Sequence, residues 1–342
     1  MAKFGPGEAR AWARENLRGV AGCLSATMTA DMAGLNEQAV RYDVALSVEH
    51  GFAGLLVVGE CGTTPAEMRQ MIDIAVDETG DRQVTILQAS ESTLRENLEL
   101  IAYAEQAGVD VVLPSFPLTF YPRSEEEIYD YYRSLADSTT MGMIVFAIHL
   151  WNFGRLHPSS FSPDLIGRLV EDCPNVVAIK NEIGAPGVAG ICEVFDRFGD
   201  QVVVTDPFEM NAPAWVRNYG MQFLGTSNYE YLGPLVPQIF SDLAKGDFES
   251  AMKLYWQTQP ARQTNMKVMG EAVAGTSLVP RMIWKYQGWL CGYNGGPLRS
   301  PQGRLSDSQM ATLRRSLAAS GVPVTAEEDP EFFVGRHPAT SS

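Results

Sequence analysis

Residues 163–182 read PDLIGRLVEDCPNVVAIKNE. The first half places Leu165, Ile166, Leu169 and Val170 on one side of a helical wheel. The second half, Val176-Val177-Ala178-Ile179, is four apolar residues in a row, the composition of a strand buried on both faces. The same pair recurs along the chain. Strand patterns fall at 20–27, 53–59, 83–88, 110–114, 143–148, 176–180, 202–205 and 222–226, and helical patterns at 36–50, 67–78, 93–107, 125–136, 163–171, 188–198, 209–219 and 232–243. Strict alternation of Val/Ile/Leu-rich strands with helices predicts an α/β fold, a (β/α)8 TIM barrel. A doubly wound open sheet is the competing arrangement, and the chain carries neither GxGxxG nor GxxxxGK[ST] to support its usual phosphate site. Beyond the strands the pattern turns helical at 248–259, 263–273, 279–290 and 306–320. The domain reading is therefore an N-terminal helical segment at 1–18, the barrel at 19–245, a C-terminal helical extension at 246–324 and a flexible tail at 325–342.

Composition narrows the function. The 342 residues are 45% hydrophobic and 20% charged, ordinary for a globular protein, with a net charge of -15. That charge argues against nucleic acid or an anionic membrane as partner. No apolar run approaches the roughly 18 residues of a membrane span, and residues 1–18 lack the apolar core of a signal peptide. The five cysteines, without a CxxC, read as reduced thiols in a cytoplasmic protein. The four histidines form no HxxxH or HExxH pattern, so no metal site is expected.

Lys180 follows the apolar run directly. A lysine there either turns into water or stands partly desolvated, with a lowered pKa and a free amine able to attack a carbonyl carbon. The other strand ends favour the second reading. Barrel ligands bind where strands end, and these ends carry Thr27, Gly59-Glu60-Cys61-Gly62-Thr63-Thr64, Ser90, Ser115-Phe116, the 149–155 loop, Lys180-Asn181-Glu182, Asp206 and Thr226-Ser227-Asn228. One lysine among hydroxyls, with Arg155, His149 and few carboxylates, suits imine chemistry on a small 2-oxo acid better than two-carboxylate glycoside hydrolysis. Imine chemistry needs no other cofactor. The candidate substrate-binding residues are Glu60, Cys61, Thr63, Thr64, Arg155, Asn181, Asp206 and Ser227. Phe116, Phe120, Tyr121, Trp151 and Phe153 would add an aromatic wall if their loops meet.

These residues give the chain a resemblance to the dihydrodipicolinate synthase / N-acetylneuraminate lyase family of class I aldolases, over residues 17–320. The string Val-Val-Ala-Ile-Lys at 176–180 resembles the Schiff-base lysine strand, Gly154-Arg155 the family's Gly-Arg, and Gly295-Gly296-Pro297-Leu298-Arg299-Ser300-Pro301 its late Gly-Pro-x-Arg-x-Pro turn. The resemblance implies that Lys180 forms the imine, that Arg155 helps hold a substrate carboxylate, and that the protein is a homotetramer or dimer.

Two departures stand out. Where the family has Gly-Thr-Thr-Gly-Glu, this chain reads Gly59-Glu60-Cys61-Gly62-Thr63-Thr64. The preferred alignment deletes three residues and keeps Gly-Glu-Cys, which resembles the hydratase-aldolase branch that acts on aryl-substituted pyruvates and leaves Thr63 and Thr64 to take over carboxylate binding. The other alignment keeps the spacing and replaces the threonines with Glu60 and Cys61. The proton-relay tyrosine expected at the end of strand five is Phe146 or Leu150, depending on alignment, and His149 lies between them as a candidate acid–base group. The expected function is a lyase that forms a lysine imine with a 2-oxo acid and makes or breaks an adjacent C–C bond. A deoxy sugar acid dehydratase and a non-catalytic oxo-acid-binding barrel are the alternatives.

Overall fold

The computed structural model describes residues 3–5, 7–59, 61–117, 119–182, 187–276, 281–300, 302 and 304–339, with backbone alone at residues 149 and 273–276. After helix α1 (Ala9–Asn16) come strands β1 (Gly19–Leu24), β2 (Gly54–Val57), β3 (Val84–Ala89), β4 (Val111–Pro114), β5 (Gly142–Ile148), β6 (Val176–Glu182), β7 (Val203–Thr205) and β8 (Phe223–Leu224). They alternate with α2 (Glu37–Glu49), α3 (Pro65–Thr79), α4 (Leu94–Ala107), α5 (Glu125–Ala136), α6 (Pro163–Asp172), α7 (Val188–Phe198), α8 (Ala212–Tyr219) and α9 (Leu235–Ala244). The sheet order is β7-β6-β5-β4-β3-β2-β1-β8, a nearly closed (β/α)8 barrel. The C-terminal helices are α10 (Phe248–Gln257), α11 (Gln259–Thr276), α12 (Arg281–Leu290) and α13 (Asp307–Ala319).

Contacts divide the chain into two compact units. The first comprises residues 1–21 and 84–227 and contains β3–β8. Its β4 and β5 are buried along their whole length, as strands packed on both faces must be. β6 runs two residues past the sequence expectation, because Asn181 and Glu182 continue the ladder opposite Ala147 and Ile148 of β5. Lys180 therefore lies within the strand, opposite Phe146. β7 and β8 share no strand ladder; the Thr205 hydroxyl instead donates to the Gly225 carbonyl at 3.4 Å. The helical pattern at 209–219 resolves into a 3-10 turn, Glu209–Asn211, followed by α8, with Pro213 in the first turn of α8 where no N–H is needed.

The second unit comprises residues 22–83 and 228–342. α3 opens on a capping box: Thr64 accepts from the Glu67 N–H, and Glu67 returns a carboxylate to the Thr64 N–H. The segment expected to be a flexible tail includes a packed turn among its described residues. Residues 329–333 form a 3-10 turn, and Phe332, fully buried, packs its ring at 5.2 Å from Tyr286 and 5.8 Å from Trp289. An aromatic side chain with that much area to bury anchors a segment whose acidic and proline-rich composition had suggested fraying.

Candidate active site

β6 positions the centre of the candidate site. Side chains two residues apart on a strand share a face, so Lys180 and Glu182 point the same way and Asn181 points oppositely. The Lys180 ammonium lies 3.2 Å from Glu182 Oε2, in an ion pair whose side chains are 7% and 18% exposed. It also lies 4.1 Å from the centroid of Phe146, a cation–π contact. Phe146 is the ladder partner of Lys180, so one of the two positions where the family resemblance expects a relay tyrosine presents a ring without a hydroxyl.

Aromatic rings continue from Phe146. Trp151 stands 4.9 Å from it, Phe116 stands 5.0 Å from Trp151, and Phe120 and Phe153 stand 4.8 and 5.0 Å from Phe116. The loops carrying these rings do meet. Phe116 and Phe153 are buried, whereas Trp151 and Phe120 remain half-buried and can face a ligand. Tyr132 was not singled out from sequence. Its buried hydroxyl accepts from the Phe146 N–H at 2.9 Å and donates to the Phe146 carbonyl at 3.1 Å. Burial pushes that phenol well above its usual range, so it clamps β5 rather than exchanging protons.

The remaining candidates of this unit fall into distinct settings. Asp206 is fully buried and accepts from the Phe208 N–H at 2.9 Å, Asn211 at 2.7 Å and the Trp215 indole at 2.6 Å. Burial raises its pKa and those hydrogen bonds partly offset the shift. Arg155 is exposed; its guanidinium stacks 3.9 Å from the Tyr121 ring and donates to the Pro122 carbonyl. Asn181 is fully buried, and neither polar atom of its amide has a hydrogen-bond partner among the described residues. Ser227 is half-buried in the turn after β8. His149 opens a 3-10 turn, His149–Trp151, and its side chain lies outside the described residues.

In the second unit, Cys61 is buried, Thr63 is half-buried and Thr64 is exposed with its hydroxyl engaged in the α3 cap; Glu60 lies outside the described residues. Arg299, from the late Gly-Pro-x-Arg turn, forms two bonds of 2.6 and 2.7 Å to the Glu67 carboxylate. That guanidinium holds Glu67 below the usual carboxylate range.

A second group of ionisable residues in this unit also escaped the sequence reading. Lys285 on α12 is buried and donates to the Ala26 carbonyl at 2.6 Å and to Thr27 Oγ1 at 2.8 Å. Asp43 on α2 accepts from the Asn294 N–H at 2.6 Å, and Glu230 accepts from the Cys23 N–H. These three, with Tyr293, line a small cavity of about 30 Å³ that is partly open to solvent. Desolvation lowers the pKa of Lys285, raises that of Asp43, and pushes Glu230 up to about 8. The available signal was a lysine set among Ile283, Tyr286 and Trp289 on a helix that is otherwise buried.

Comparison with known proteins bears on both units. The family model described as the dihydrodipicolinate synthetase family matches residues 16–320. The 4-hydroxy-tetrahydrodipicolinate synthase of Methanopyrus kandleri is 25% identical over 316 residues, covering 90% of this chain and 97% of its own. Among solved structures, dihydrodipicolinate synthase from Aquifex aeolicus superposes with a TM-score of 0.75 at 19% identity, covering 90% of this chain and 99% of its own. N-acetylneuraminate lyase from Fusobacterium nucleatum superposes with a TM-score of 0.69 at 20% identity, covering 88% and 97%. At these identities the solved structures speak to the fold alone.

Proposed function

Because the chain belongs to the dihydrodipicolinate synthetase family and is an enzyme of the class I aldolase type, we propose that Lys180 forms an imine with the ketone carbon of a 2-oxo acid whose far end carries a bulky or aryl group. The observation that carries this reading is the surroundings of Lys180: a buried amine beside Phe146, with Trp151 next in line. A protonated imine draws electrons from the adjacent carbon, so a neighbouring C–C bond can break to an enamine, or form from one. The nitrogen supplies the electron sink itself, and the ring wall supplies apolar surface for an aryl substituent, worth about 1–3 kcal/mol of selectivity. The expected substrate is a 4-aryl-4-hydroxy-2-oxobutanoate, cleaved to pyruvate and an aryl aldehyde, or the corresponding unsaturated acid after hydration.

The test is aldehyde release. Purified protein incubated with such a hydroxy acid should release the aryl aldehyde, seen by its ultraviolet absorbance, and Lys180→Ala should release none. Equal release by Lys180→Ala would sink the reading. A protein that cleaves an alkyl analogue faster than the aryl compound would remove the aryl preference. Cytoplasmic residence and a homo-oligomeric state belong to the same proposal. Among the described residues no helix is long and apolar enough to cross a membrane.

A further inference from the structure

Within this imine-forming reading, we infer that Glu182 is the group that carries protons to and from Lys180, the task for which the end of β5 offers no hydroxyl. Three observations in one unit support the assignment. The ladder sets Phe146 beside Lys180 and Ile148 beside Glu182, so neither β5 neighbour can exchange a proton. Strand alternation puts Glu182 on the lysine's face, and its carboxylate lies 3.2 Å from the amine, within reach of direct transfer. Among the described residues of this unit, two other ionisable groups are committed elsewhere: Asp206 to Phe208, Asn211 and Trp215, and Tyr132 to the Phe146 backbone.

The proton balance closes with these two residues and the substrate. The ammonium of Lys180 gives one proton to the Glu182 carboxylate, and the resulting amine attacks the ketone carbon as the C=O electron pair moves to oxygen. Glu182 hands its proton to that alkoxide and takes one back from the new C–N nitrogen. It then protonates the hydroxyl, the C–O bond breaks, and water leaves as the nitrogen lone pair forms the C=N bond. One ammonium and one ketone have become one protonated imine and one water, and Glu182 ends as it began, a carboxylate.

A purely structural ion pair makes the opposite forecast. If Glu182 only holds the ammonium, then Glu182→Gln frees the amine and imine formation becomes faster or stays unchanged. If Glu182 carries the protons, Glu182→Gln slows imine formation by about 10²-fold or more. Pre-steady-state borohydride quenching of wild type, Glu182→Gln, Glu182→Asp and Lys180→Ala with pyruvate reads this rate. Carbamylation of Lys180 by cyanate, which expels no water, serves as the control for a folded site with an accessible amine. The expected result is slow imine formation with undiminished carbamylation in Glu182→Gln, and partial recovery in Glu182→Asp. Imine formation in Glu182→Gln at or above the wild-type rate, or a Glu182→Asp no faster than the Gln variant, overturns the assignment. Absence of any adduct in the wild type instead overturns the underlying imine reading, and with it the role of Glu182.

Discussion

At the scale of the residue, the burial of Lys180 was legible, because it directly follows four apolar residues and the other strand ends, not the local string, favoured a partly desolvated amine over one turned into water. Glu182 was visible at the strand end but its orientation was not, because the strand pattern stops at Lys180 and only the ladder to Ala147 and Ile148 shows that the strand, and its two-residue alternation, continues. Trp151 carries a prediction of its own. Its half-buried ring is, with that of Phe120, the accessible part of the aromatic wall, so Trp151→Ala should raise KM for an aryl-substituted substrate about 10-fold or more while leaving KM for plain pyruvate within a factor of a few. Parallel steady-state kinetics on both substrates checks this, and equal changes on the two would assign Trp151 to packing alone.

At the scale of the element, α3 shows how one motif can serve a different end from the one its pattern suggests. Thr64 was a candidate for carboxylate binding, yet its side chain caps α3. Arg299, recognised only as part of a turn, clamps the capping glutamate with two short bonds in a largely buried pair. Residue spacing alone could not disclose this, since Glu67 and Arg299 lie 232 positions apart. Arg299→Ala leaves Glu67 without its charged partner and should cost about 1–3 kcal/mol, read as a lowered Tm by calorimetry. A Tm within one degree of wild type would show that the clamp contributes nothing measurable. The eight barrel strands and the helices between them were readable from periodicity, with ends that differ by a few residues. The tail was not, because the single anchoring ring of Phe332 sits among acidic and proline residues.

At the scale of the whole molecule, the buried acids of the second unit link stability to pH. Glu230 and Asp43 have folded pKa values raised above their unfolded ones, chiefly by desolvation. Their contribution to stability is complete below about pH 4 and is lost as pH rises through the folded values, near 8 for Glu230. Lys285 is shifted downward, so its cost is present at low pH and is relieved as pH rises through its folded value. The carboxyl effects dominate from the ordinary carboxylate range up to about pH 8, and the protein should lose stability as pH rises across that window. Glu230→Gln keeps an acceptor for the Cys23 N–H and should flatten part of the fall in Tm; an unchanged slope would contradict the account. Sedimentation velocity should find a multiple of the 37.5 kDa chain, and a single monomeric species would remove the oligomer from the proposal. The most direct test of the central claim is peptide mapping of the pyruvate adduct after borohydride reduction. The account predicts one reduced adduct, on Lys180; an adduct on Lys285, the other buried lysine, with Lys180 unmodified would contradict it.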